Sequence, residues 1–92
     1  MDLEKSWKIT IVHLKAARST LLEHMLFAKA NEVEKEFDEY LEHNELELAM
    51  NALDYVGTLS KAPDEFWFNL ELAALNMGLV VDAERYNRIR NT

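Results

Sequence analysis

The sequence predicts an all-α fold, a compact bundle of about five helices in a single domain. Three observations predict it. Leu, Ala, Glu and Met, the residues that cost least in a helix, recur along the chain. Only two glycines and one proline interrupt 92 residues, too little punctuation for many short strands and turns. Apolar residues return at three- and four-residue spacing, the period of one helix face. With 49% apolar residues the chain can fill one core and is too apolar for a disordered tail.

The first helix is predicted over roughly 3 to 29, with a break allowed near Arg18–Thr20. Its "KITIVHL" is β-branched and reads as strand by propensity. The helical spacing of Trp7, Ile11 and Leu14, and the lack of a partner strand, decide for helix. The second helix is predicted at 32–43. Asn31 with Glu34 has the form of a cap whose side chain accepts an orphan N–H while the glutamate reaches back. Its apolar stripe is Val33, Phe37, Tyr40 and Leu41, which makes it a surface helix with Phe37 and Leu41 pointing inward.

Asn44 with Glu47 repeats the cap pattern, so Asn44 should end one helix and start the third, at 45–56. Gly57 follows it as a candidate left-handed residue, and Gly78 follows the fourth helix in the same role. The fourth helix is predicted at 63–77, with Pro63 in its first position and Asp64 and Glu65 near its positive end. The fifth covers 82–90. The third and fourth each carry two apolar stripes. In the third these are Leu46, Ala49, Met50, Leu53 and Leu48, Ala52, Tyr55, Leu59. In the fourth they are Phe66, Leu70, Ala73, Met77 and Phe68, Leu72, Leu75, Leu79. Two stripes predict helices sandwiched between neighbours, and short loops favour antiparallel packing.

The charge is concentrated. Residues 32–47 hold eight acids against one base, Lys35, a net of −7 that equals the net charge of the whole chain. Like charges at i,i+4, as in Glu32–Glu36 and Asp38–Glu42, cost a few tenths of a kcal/mol each. Solubility needs charge but not concentrated charge, so the cluster suits a basic protein partner. The same acidity argues against direct nucleic-acid binding, because phosphates repel carboxylates.

Chemistry is hard to find in the sequence. There is no cysteine, hence no disulfide, thiolate metal site or thiol nucleophile. His13, His24 and His43 share no ligand spacing, and His43 reads as a cation at a helix C-terminus. Two separated glycines build no phosphate loop. The expectation is a protein that is not an enzyme and has no metal or cofactor. The start "MDLEKSWKI" carries acids and lacks an apolar signal core, and no apolar run is long enough for a bilayer. A cytoplasmic protein with no membrane partner is expected.

The stretch "FDEYLEHNELELAMNAL", then a glycine and "FWFNLELAALNMGL", spans Phe37 to Leu79. It resembles small acidic all-helical bacterial immunity proteins, those that accompany the polymorphic toxins of contact-dependent growth inhibition and Maf-type systems. The resemblance implies a cytoplasmic antitoxin that binds a cognate toxin C-terminal domain, in many cases a basic nuclease, and covers its active site or substrate groove. Glu36, Asp38, Glu39, Glu42 and Glu45 are then the expected toxin-facing charges, with Tyr55 or Trp67 as an aromatic anchor. The alternative is a helical adaptor or regulatory subunit of an intracellular complex, docking through apolar surface.

Overall fold

A computed structural model describes residues 3–24 and 29–91, and the side-chain surroundings of 4–21, 35–59 and 61–91. The described residues form five helices: α1 (Leu3–His24), α2 (Lys29–Glu42), α3 (Leu46–Ser60), α4 (Asp64–Asn76) and α5 (Val80–Arg90). α1 and α5 flank α4, and α2 packs on α3. The bundle is a flat slab of 40 × 30 × 17 Å.

The β-branched start of α1 is helical, and the helix runs unbroken through Arg18–Thr20. Its buried stripe is Thr10, Leu14, Ala17, Thr20 and Leu21. Both threonines bury a hydroxyl and satisfy it. Thr20 Oγ1 donates to the Ala16 carbonyl at 3.1 Å. Asn76 at the end of α4 donates its amide to Thr10 Oγ1 at 2.7 Å and to the Ser6 carbonyl at 2.8 Å. That amide fixes the register of α1 against α4.

Asn31 lies within α2 rather than at its cap, and its side chain and those of Glu32, Val33 and Glu34 fall outside the described surroundings. Asn44 does separate α2 from α3, but by a different device from the expected cap. It takes a left-handed φ of 55°, and Glu45 stands at the N-cap of α3 with no side-chain cap bond. The Glu45 N–H donates to the Tyr40 carbonyl at 2.8 Å and the Asn44 N–H to the Leu41 carbonyl at 3.2 Å. Those two bonds close the end of α2, and asparagine tolerates the left-handed turn better than most residues. Gly78 (φ 76°) closes α4 the same way, through the Leu79 N–H to the Ala74 carbonyl at 2.8 Å.

Gly57 does not end a helix. It is buried inside α3, which runs on to Ser60. Lys61 takes the left-handed position instead (φ 53°), with the Ala62 N–H donating to the Gly57 carbonyl at 3.0 Å. Left-handed backbone costs an L-residue roughly 1–2 kcal/mol. Lys61→Gly is therefore expected to stabilise by about 0.5–1 kcal/mol after the glycine's larger unfolded-state entropy is subtracted. A thermal midpoint raised by a few degrees checks this. Pro63 sits one position earlier than expected, at the N-cap of α4, where its carbonyl accepts from the Phe66 N–H at 3.0 Å.

Phe37, Leu46, Ala49, Met50, Leu53, Phe66, Leu70 and Ala73 are all buried, as their stripes predict. α4 is sandwiched between α1 and α5 as predicted, with Leu72 and Leu79 half-buried, but the second stripes of both helices are only partly covered. Leu48, Tyr55, Leu59, Phe68 and Leu75 are all more than two-fifths exposed. A slab this thin covers only one side of α3.

Trp67 is a core residue, 4% exposed. It stands edge-on to Phe66 at 4.9 Å and tilted against Tyr86 at 5.7 Å, and its indole N–H donates to the Ala62 carbonyl at 3.1 Å. Beside it, Tyr86 donates its hydroxyl to Asp54 Oδ2 at 3.0 Å, and Arg85 pairs with the same carboxylate. These bonds tie α5 to α3. Burial, then the negative charge of Asp54, pushes the Tyr86 phenol well above its usual 10.0. The folded chain thus keeps a proton that the unfolded chain begins to lose near pH 10. The stabilisation is complete below pH 10 and drains away as pH climbs from there toward the raised folded value. One pH unit above 10 the loss is about 1 kcal/mol. Tyr86→Phe should cost about 1–2 kcal/mol at neutral pH through the lost hydrogen bond, and flatten this alkaline slope. Urea unfolding of both proteins at pH 8 and pH 11 measures it; equal slopes would refute the assignment.

Candidate acidic interaction surface

α2 buries Phe37 and turns the opposite arc to solvent. Lys35, Glu36, Asp38, Glu39 and Glu42 all lie on that arc and are exposed. Glu45 and Glu47 follow at the start of α3, also exposed. Of the predicted site residues, Glu36, Asp38, Glu39, Glu42 and Glu45 therefore share one surface around the α2–α3 corner. Tyr55 is 59% exposed but lies further along α3, in its apolar stripe. Trp67 is withdrawn from the surface, its ring and N–H both engaged in the core.

The acids elsewhere are largely held by cations. Asp54 pairs with Arg85, Glu71 with Arg90 at 2.8 Å, Asp82 with Arg85 at 3.7 Å and Glu4 with Lys8 at 3.8 Å. On the acidic arc, only Asp38 is so engaged among the described residues. Arg18 reaches across from α1 to its Oδ1 at 2.5 Å, with the guanidinium 5.0 Å above the Phe37 ring. Asp38 thus contributes less field than its neighbours and helps hold α2 against α1. Glu36, Glu39, Glu42, Glu45 and Glu47 make no ion pair among the described residues. The last turn of α2 has no basic residue, so the negative pole of the helix adds to Glu39 and Glu42.

Beside the corner lies an open groove of about 650 Å³, lined by Trp7, Leu46, Leu48 and Met77 together with Glu45 and Glu47. Trp7 is 41% exposed. Sequence spacing had grouped it with Ile11 and Leu14, yet the buried stripe of α1 starts at Thr10. The signal was weak: a threonine at a core position looks polar until its partner, Asn76, is in view.

No group of three or more His, Asp or Glu able to hold a metal ion occurs among the described residues. No helix among them is long and apolar enough to cross a membrane. Compared with protein-family models, curated proteins and solved structures, the chain matches none.

Proposed function

We propose that this chain is an immunity protein that binds and neutralises a basic toxin domain in the cytoplasm of the cell that makes both. The observation that carries the proposal is the exposed set Glu36, Glu39, Glu42 and Glu45 on one corner of the bundle, which makes no ion pair among the described residues. The likeness of Phe37–Leu79 to bacterial immunity proteins supports the same reading. A toxin that cleaves nucleic acid has a positive groove for phosphates, and a row of carboxylates on a rigid helix presents a comparable array of charge. Blocking such a groove takes binding alone, with no catalysis and no cofactor. The test is co-expression with the variable C-terminal domain of a secreted protein encoded beside this chain. Growth rescue and co-purification are expected, and failure of both with that domain would overturn the proposal.

A second reading has its own observation. Leu48, Tyr55 and Leu59 form exposed apolar surface on α3, which suits an adaptor that docks through hydrophobic contact. Substitutions on α2 separate the two readings, because an apolar docking face is indifferent to the charge of Glu36 and Glu39.

A further inference from the structure

The bare side of α3 carries an ordered pattern. Leu48, Ala52, Tyr55 and Leu59 succeed one another at steps of four, three and four residues. That spacing keeps one seam of a helix turned toward a partner helix. Leu48 is 47%, Tyr55 59% and Leu59 56% exposed, while Ala49, Met50, Leu53 and Val56 on the other side are buried.

The seam is symmetric under reversal. Two copies of α3 laid antiparallel bring Leu48 opposite Leu59 and the small Ala52 opposite the large Tyr55, twice over, around one two-fold axis. The same register brings Lys61, which ends α3, opposite Leu46 of the second copy and so between its Glu45 and Glu47. All three charged residues are exposed, and none makes an ion pair among the described residues. Each helix also sets its positive end beside the other's negative end. The α4 stripe Phe68, Leu72, Leu75 and Leu79 repeats the spacing, but Leu72 is half-buried and Leu79 packs against the core, so it offers no continuous exposed seam. Phe68 lies under the Arg90 guanidinium at 5.0 Å, and Val80 and Val81 are adjacent at the start of α5.

We propose that a second copy of this chain docks on α3, forming an antiparallel two-fold homodimer through Leu48, Ala52, Tyr55 and Leu59. The apolar seam lies on α3 and, apart from Glu45, which Lys61 of the second copy would meet, is separate from the acids of the toxin-binding reading, on which the proposal does not rest.

Sedimentation velocity of the full chain from micromolar to millimolar concentration tests it. The mass should rise from 10.7 kDa toward twice that value. Tyr55→Glu and Leu59→Glu should each weaken the dimer roughly tenfold or more while helical circular dichroism is retained. Val81→Glu, at a site 76% exposed and off the seam, should change nothing. The chain has no cysteine, so Leu48→Cys and Leu59→Cys proteins can be mixed under mild oxidation. A mixed 48–59 disulfide is expected. A monomer at every concentration, a dimer indifferent to both seam substitutions, or preferential 48–48 disulfides would overturn the proposal. So would a monomer that uses the seam to capture a different protein.

Discussion

Replacing Gly57 with alanine is expected to destabilise the protein by roughly 1–3 kcal/mol, although the same change inside a helix ordinarily stabilises by about 1 kcal/mol. The sign reverses because of Phe66. A Cβ on Gly57 would overlap the Phe66 Cε1 and lie 2.7 Å from its Cζ. The ring cannot swing clear, since it is 0% exposed and stands edge-on to Trp67 at 4.9 Å. Relief requires α3 and α4 to move apart, which loosens the contacts of Trp67 and Tyr86 as well. For a domain of this size each kcal/mol is worth about 4–8 °C in thermal midpoint, so the loss is easy to measure. Phe66→Leu supplies the control. Alone it leaves a cavity and should cost about 1–2 kcal/mol. Combined with Gly57→Ala, it makes room for the new methyl, and the double variant should be more stable than the sum of the singles predicts. If Gly57→Ala raised the midpoint, the close approach of α3 to α4 would be wrong.

Gly57 also shows why some of the fold is legible in sequence and some is not. Glycine serves two ends, a left-handed backbone or a missing Cβ, and the local sequence does not distinguish them. Gly78 serves the first and was readable from the end of its apolar stripe; Gly57 serves the second, and only Phe66 reveals it. Asn44 was found as a boundary because asparagine favours both N-caps and left-handed turns, so the position was legible and the device was not. Periodicity gave α1 to α4 an inward stripe, while asparagines, glycines and Pro63 marked the boundaries. It could not tell which of two stripes on α3 lacks a neighbour, because that depends on how many helices the short chain can lay over it. The acidic surface was legible for a simpler reason: exposed carboxylates on one helix stay together whatever the tertiary packing. Trp7 faces outward because α1 packs on α4 through Thr10 and Asn76, whereas Trp67 is held in the core by Phe66, Tyr86 and the Ala62 carbonyl.

The triple reversal Glu36→Lys, Glu39→Lys and Glu42→Lys should cut the association rate with a basic toxin domain by about 10- to 1,000-fold while leaving the fold intact. Each substitution changes the charge by two, so the three together take the chain from −7 to −1. The field that gathers a positive partner is largely removed, and repulsive contacts replace attractive ones at the corner. Dissociation should change less than association, and the strong dependence of the association rate on salt should vanish. Stability should stay within about 0.5 kcal/mol, because all three side chains are exposed. Lysine near the C-terminal end of α2 is even favoured by the helix dipole, which makes unfolding a poor explanation for lost binding. Asp38→Asn should behave oppositely. It breaks the pair with Arg18, so it weakens the hold of α2 on α1 and alters binding little. Reversing Glu84, an exposed acid on α5, tests whether total charge or its placement matters. Association rates measured in low and high salt for these variants decide the question. A triple variant that binds as fast as the parent would remove the acidic corner from the mechanism and leave the apolar face of α3 as the surface that recognises partners.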